Sequence, residues 1–475
     1  VMTAILSSRR PAEREIKAYI KDKFFAMERL LLLISFFVER CKRCDSRQDE
    51  FIDTLGKLVK LASVACRNSE RNKVSLVRAF KNSKQSMENT STVELLIRGI
   101  KVAVEAYKQE GSKHLGAVSL MTEFCQLISI LCRYDDFRPG GALGVDSSYG
   151  MNVSSSHDHV MEFNRNGVVP VLYEITLIAL TTDLDVVVEN NECSTMEEDI
   201  VTLAAAALSA TRVLAVNDES VQALVAVGIL KVIKLALEMG VKEVLEGPQD
   251  GKKQEETKKQ RQHLTSGAIG LVRNLCGNDE IKTTICLGTS SDPSSSSLHV
   301  ILEGMRLYRD NASIQEHGLG ALAAMALRKP TNALRIVQEN APVEIISAMV
   351  KFPNNVLVQR QGALAVRNIV SRLVANSSEM ETTGSGDTSS IVANKTETIN
   401  VRDVFLDVGA EVVLRQITGR HQGSVDEAYA ALRDLGLEVS MLKFDSETQT
   451  MTRQTQMFGE VKSNFRAVYD ETDAA

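Results

Sequence analysis

The chain has 475 residues, 44% of them hydrophobic and 24% charged, with a formal net charge of −6. That mild acidity argues against a general nucleic-acid binder, which shows a basic excess or a basic stripe. Eight cysteines in so long a chain exclude a disulfide framework of the kind that holds small secreted domains together.

Residues 1–45 read as an N-terminal helical cap, with helices expected between residues 11 and 43. The longest apolar run there, Leu30 to Val38, is interrupted by Ser35 and flanked by Glu28-Arg29 and Glu39-Arg40. A bilayer span needs about 20 apolar residues, so a membrane helix is rejected, and no signal peptide is legible. The expectation is a reducing, cytoplasmic setting, with the nucleus open beside it. Cys41-Lys-Arg-Cys44 is a CxxC without a second pair at zinc-finger spacing, so it reads as a polar helix end and no metal is expected.

Further on, apolar residues recur at relative positions 0, 3, 4 and 7, which share one face of a helix turning every 3.6 residues. In chain order the stripes are Leu58-Leu61-Ala62-Ala65, Phe124-Leu127-Ile128-Leu131, Ala207-Ala210-Thr211-Leu214, Ala268-Leu271-Val272-Leu275, Gly320-Ala323-Ala324-Leu327, Gly362-Ala365-Val366-Ile369 and Ala428-Ala431-Leu432-Leu435. The Gly320 and Gly362 copies are 42 residues apart (362 against 320), and a small residue at the head of each lets a neighbouring helix approach closely. A second landmark is a large apolar residue four places before Gly or Asn: Phe163 to Gly167, Leu224 to Gly228, Ile336 to Asn340 and Phe405 to Gly409. Gly and Asn tolerate the left-handed backbone that ends a helix, so this column predicts the turn after a short helix. Stripe and turn together predict units of three helices. The fold class is therefore all-α, a right-handed superhelical solenoid of about seven repeats of armadillo or HEAT type. It is expected to span residues 46–440.

Insertions are expected near 138–158, 247–262, 288–297 and 376–400. The first is Gly/Ser-rich and ends in His157-Asp158-His159, read as a solvated loop because a metal needs three or four ligands. The second mixes charge signs and is expected to extend a helix into solvent. The third, with its serine run, reads as flexible, and the fourth has the composition of disorder. Cys125, Cys132 and Cys276 lie in or beside the stripes and read as small core hydrophobes.

Several segments resemble the armadillo consensus: Val168-Val-Pro-Val-Leu172, Gly228-Ile-Leu-Lys-Val-Ile233, Gly409-Ala-Glu-Val-Val-Leu414, Arg273-Asn-Leu-Cys276 and Arg367-Asn-Ile-Val370. The order Cys132-Arg-Tyr-Asp-Asp-Phe-Arg138, an insertion, His157-Asp-His159 and a helix ending at Asn166-Gly167 resembles the armadillo repeat-containing protein 6 family. So does Val425-Asp-Glu-Ala-Tyr-Ala-Ala-Leu-Arg-Asp-Leu-Gly436. The resemblance covers roughly residues 46–440 and leaves the N-terminal 45 residues out. It implies a non-enzymatic interaction protein. It also implies that His157 or His159 is a methylation candidate, because histidine methyltransferases prefer a small residue between two histidines; Asp158 departs from that preference.

In armadillo arrays the third helix of each unit lines a concave groove, where an Asn amide can pair with a peptide backbone. That column reads Val64, Ile130, Val213, Asn274, Ala326, Asn368 and Asp434; the one before it reads Ser63, Ser129, Arg212, Arg273, Met325, Arg367 and Arg433. The expected site is thus Arg212, Arg273, Asn274, Arg367, Asn368 and Arg433, with arginines forking onto acids of an extended partner. The competing reading is that each arginine pairs with an acid on an adjacent helix. The expected function is a non-enzymatic scaffold or adaptor that binds an acidic, extended peptide or partner surface in the concave groove of the C-terminal repeats, with an importin-like transport receptor or a structural subunit of a larger assembly as alternatives. The absence of Trp and the arginines beside Asn disfavour basic cargo. An enzyme has little support: seven histidines are scattered, and no HExxH, GxGxxG or GxxxxGK[ST] occurs. No cofactor or membrane partner is expected. Residues 441–475 read as a polar tail in which Phe458, Val461, Phe465 and Tyr469 share a helical face suited to docking on the array.

Overall fold

The computed structural model describes residues 25–42, 48–78, 91–110, 115–133, 152–182, 193–242, 251–382, 400–420, 424–445 and 450–456. Residues 1–24, Cys44 of the CxxC, the start of the first insertion, most of 376–400 and the docking anchors Phe458, Val461, Phe465 and Tyr469 lie outside them. The described residues are overwhelmingly helical and cluster into two units, Val1–Leu275 and Cys276–Ala475.

In the first unit the helices are α1 (Phe25–Cys41), α2 (Gln48–Cys66), α3 (Glu70–Arg78), α4 (Thr92–Glu110), α5 (Leu115–Cys132), α6 (Asn152–Arg165), α7 (Val168–Thr181), α8 (Cys193–Leu214), α9 (Asp218–Ala226), α10 (Ile229–Val241) and α11 (Gly251–Leu275). The long helices α2, α5, α8 and α11 carry the stripes and pack each against the next, while α4, α7 and α10 form a parallel tier. Phe124, Leu127, Ile128 and Leu131 are wholly buried, as are Ala207, Ala210, Thr211 and Leu214. Among the described residues α5 is the one helix long and apolar enough to cross a membrane. It is apolar nearly all round because α2 and α4 cover one side and α8 another, the situation of an inner helix in a stack.

The predicted turn column is present in both units. Gly167, Gly228, Asn340 and Gly409 all have positive φ, at 75°, 94°, 62° and 86°. Each lies between a first and a second helix, where a residue with a Cβ pays for the left-handed region. The second insertion also matches its expectation in part. Helix α11 begins at Gly251, and Glu255, Glu256, Lys258 and Lys259 are exposed before one face becomes buried at Arg261, Leu264 and Thr265.

The second unit comprises α12 (Asp279–Leu287), α13 (Leu298–Leu307), α14 (Ala312–Ala326), α15 (Pro330–Gln338), α16 (Ala341–Lys351), α17 (Val356–Thr382), α18 (Val401–Asp407), α19 (Ala410–Arg420) and α20 (Val425–Asp434). Here α14 packs on α17 and α17 on α20.

One expectation is corrected and two segments are specified further. The first concerns the stripe at Gly320, whose last member, Leu327, is 37% exposed and lies beyond the end of α14. The side chains show the true register. Asn311 caps α14 through the N–H groups of Ser313 and Ile314, as Asn355 caps α17 through those of Leu357 and Val358. Gln315 donates to the carbonyls of Met305 and Tyr308, as Gln359 does to those of Met349 and Phe352. A Cβ on Gly318 would meet Met305 Sδ at 2.4 Å, as one on Gly362 would meet Met349 Sδ at 2.4 Å. Every pair is 44 residues apart (355 against 311, 359 against 315, 362 against 318). The equivalent stripe is therefore Gly318-Ala321-Leu322-Met325, all buried, two residues before the predicted one. Periodicity could not distinguish them, because α14 is buried at eleven of its positions and its pattern is apolar on every side.

Second, the serine run after α12 is a hydrogen-bonded turn. Thr289 and Asp292 form a bridge, Asp292 accepts from Ser294 N at 3.0 Å, and a single 3-10 turn spans Pro293–Ser295. Asp side chains accept from backbone N–H groups two residues on, which orders such a turn locally. Third, the start of the polar tail is extended backbone. Strands β1 (Val439–Asp445) and β2 (Thr450–Gln456) pair antiparallel, with Val439 opposite Gln456, a two-stranded addition to the otherwise helical described residues.

Candidate interaction surface

The surface is built from the last turns of the long helices, where polar column residues meet the neighbouring long helix. In the first unit, Ser129 on α5 and Ser209 on α8 have their hydroxyls 3.3 Å apart. One helix further, Asn274 Nδ2 on α11 donates to the carbonyl of Arg212 on α8 at 3.0 Å. That bond aligns Arg212 with Arg273, the residue preceding Asn274, on neighbouring helices whose axes at close packing are about 10 Å apart. Both arginine side chains are half-buried and Asn274 is exposed.

The second unit repeats the arrangement. Asn368 Nδ2 on α17 donates to the carbonyl of Ala323 on α14 at 2.9 Å. Because Asn274 reaches residue 212 and Asn368 reaches residue 323, the fifth place in the arginine column belongs to Ala323, with Ala324 beside it. The predicted Met325 and Ala326 are buried instead, which is the two-residue register correction seen again. On α20, Arg433 brings Nε and Nη2 each to 3.1 Å from Asp434 Oδ1. Arg367 on α17 has Nε 4.0 Å from Asp434 Oδ2.

The six predicted residues therefore divide. Arg212, Arg273 and Asn274 come together in the first unit; Arg367, Asn368 and Arg433 do so in the second. The asparagines do not await a peptide with empty hands: each spends an amide proton on the carbonyl of the preceding long helix. For Arg367 and Arg433 the competing reading, pairing with an acid, describes the geometry, and the acid is Asp434 from the asparagine column.

The histidine pair is placed differently from its prediction. His157, Asp158 and His159 lie on α6, not in a loop. His157 is exposed, whereas His159 is 4% exposed, with Nδ1 3.0 Å from the carbonyl of Leu131. A helix forms here because Val160 and Phe163 bury the face that carries His159, leaving His157 outside. Burial pushes the His159 imidazole below the ordinary histidine pKa, partly offset by that hydrogen bond and by Glu162 and Glu70. With Arg78, Asp158, Glu162 and Arg165, the pair lines a cleft of about 560 Å³.

Sequence reasoning missed a recurring device. Lys73 is fully buried, its ammonium 2.8 Å from Glu70 and 2.6 Å from the carbonyl of Arg133. Lys282 is 1% exposed, 2.7 Å from Asp279 and 2.6 Å from the carbonyl of Leu327. In each case a lysine near the start of a short helix reaches the C-terminal carbonyls of a long one, where partial negative charge gathers. The legible signal was an acid three residues before a lysine in a helix's first turn, Glu70 to Lys73 and Asp279 to Lys282. No group of three His, Cys, Asp or Glu side chains among the described residues is disposed to hold a metal. Burial pushes the thiols of Cys66, Cys125 and Cys286 up to about 12, and those of Cys132 and Cys276 higher, so none is a thiolate at neutral pH.

No family model matches the chain, and no curated protein matches it. Among solved structures it is similar to an engineered protein at 16% identity and a TM-score of 0.43, covering 72% of this chain and 98% of that one. A second engineered protein matches at 16% identity and a TM-score of 0.41, over 73% and 97%. A chain from a structure concerned with a phosphorylation switch in the interaction between cadherin and beta-catenin matches at 12% identity and a TM-score of 0.23, over 84% and 98%. Within each unit the long helices pack in series, with polar and arginine side chains near their last turns.

Proposed function

We propose that the chain is a non-enzymatic interaction scaffold made of about seven armadillo-type repeats, and that the long helices of its first unit bind an acidic, extended protein segment. The triplets of short, intermediate and long helices, the left-handed turn after the first of each, and the consensus-like segments support the armadillo assignment. Binding rests on one observation above all: the 3.0 Å bond from Asn274 to the Arg212 carbonyl sets Arg212 and Arg273 side by side on α8 and α11. An extended chain advances about 3.3 Å per residue, so acids three residues apart span the roughly 10 Å between such helices. Guanidinium groups take carboxylates through paired N–H donors, which gives the site geometric as well as charge selectivity.

Titrating the full chain into a fluorescein-labelled decapeptide of alternating Asp and Glu, followed by anisotropy, tests this reading. The variant R212E/R273E should weaken binding about tenfold or more, with the wild-type affinity falling as salt is raised. Equal affinity for both proteins at unchanged melting temperature would reject the site.

A further inference from the structure

Of the three polar residues in the asparagine column, Asn274, Asn368 and Asp434, the last is an acid, and its surroundings differ accordingly. Asn274 and Asn368 each donate to a carbonyl on the preceding long helix, at residues 212 and 323. By the same offset the residue at 434 should reach the carbonyl of Arg367. A carboxylate group accepts where an amide also donates, and what stands beside Asp434 are the guanidinium groups of Arg367 and Arg433. Arg367 Nε is 4.0 Å from Oδ2, while Arg433 places two nitrogens at 3.1 Å from Oδ1. The Asp434 side chain is only 14% exposed between arginines that are 43% and 44% exposed. An acid sunk between two half-exposed guanidinium groups occupies the position that a partner's carboxylate would take.

We propose that Arg367 and Arg433 form a second acid-binding site, held closed by the chain's own Asp434. This rests on the reading of the arginine columns as acid-binding surfaces and adds that the second unit regulates its share internally. Coulombic attraction to an incoming acid is cancelled there by a carboxylate tethered in place, whose effective concentration no dilute peptide matches. The closure is local: it needs no rearrangement of helices, since removing one negative charge leaves both guanidinium groups where they stand. The arrangement also makes the opening substitution benign. An Asn at 434 can donate to the Arg367 carbonyl, the bond made twice elsewhere in the column.

The test uses the same Asp/Glu decapeptide and the full chain carrying R212E/R273E, which removes the first-unit site. Adding D434N to that background should raise affinity about tenfold, and adding R367Q/R433Q on top should abolish the gain. D434S serves as a second opening variant that makes no amide bond, and melting temperatures confirm that each protein is folded. A folded D434N or D434S protein that binds no better than its parent overturns the proposal. So does a gain that survives R367Q/R433Q. Weak binding by wild-type protein with a clear gain on D434N would instead sink the first-unit reading and leave this one standing.

Discussion

Gln359 is 2% exposed, and its amide nitrogen donates to two carbonyls, Met349 at 2.7 Å and Phe352 at 2.9 Å. Those carbonyls end α16, where no intrahelical partner remains, so the side chain serves as a cap supplied by the next helix. Replacing Gln359 with Leu keeps the volume and removes both bonds, leaving the Met349 carbonyl without this donor while Phe352 still accepts from the Asn355 N–H. The expected loss is about 2 kcal/mol, read as a lower urea midpoint at unchanged slope. His159 gives a pH dependence. Its folded-state pKa lies below the ordinary 6.5, so the unfolded chain takes up the proton first as pH falls. Stability is therefore full above about pH 6.5 and declines on acidification until the folded-state ring titrates. The charged groups that act on it are Glu162 on α6 and Glu70 and Lys73 on α3. Melting temperature should drop between pH 7.5 and 5.5, and the drop should be smaller in H159Q; equal drops would reject the histidine as the cause. Of these two residues, the first was silent in the sequence and the second was misread. The sequence shows that a histidine is present, while burial depends on which face of α6 the neighbours cover.

At the scale of elements, short helices are tied to long ones by lysine. Lys282 joins the start of α12 to the end of α14, with its ammonium between Asp279 and the Leu327 carbonyl. K282M keeps the aliphatic stem and deletes the charge, so the carbonyl loses its donor and Asp279 its nearest cation. A cost of about 2 kcal/mol is expected, visible in thermal melting and, by hydrogen exchange, as lost protection in α12 to α15 while α2 to α5 keep theirs. Exchange that rises equally in both units would contradict a stack in which each element answers to its neighbours. The hydrogen bond from Lys282 is also the first cause holding the Asp279 carboxyl below its usual range, ahead of the opposing burial and the charges of Arg328 and Lys329. The stability it contributes is present above the ordinary carboxylate pKa and disappears as pH falls through the lowered one. K282M should therefore flatten the acid limb of the stability curve. The existence of these helices was legible: Asn278, Asn311 and Asn355 precede apolar periodic runs, and each accepts from the N–H groups of the first turn. Their partners were not, because a cap from another helix leaves no local pattern.

At the scale of the molecule, the sequence by itself determined the kind of architecture. Six of the seven stripes are buried as read, and all four left-handed turns fall where Gly or Asn predicted them. These features are local, set by the 3.6-residue period and by what a backbone without a clash can do, so one chain segment suffices to reveal them. Tertiary structure decided the rest. It chose Gly318 over Gly320 as the partner of Gly362, through the methionine across the interface, the asparagine caps and the glutamine bonds to the preceding helix. It turned the groove asparagines into braces between helices, buried His159 and paired the strands after Leu437. It also brought Asp434 between Arg367 and Arg433, although Arg367 is 67 residues away in sequence (434 against 367). Charge pairing across a stack depends on the register between helices, and a one-dimensional pattern lists the charges without saying which of them meet.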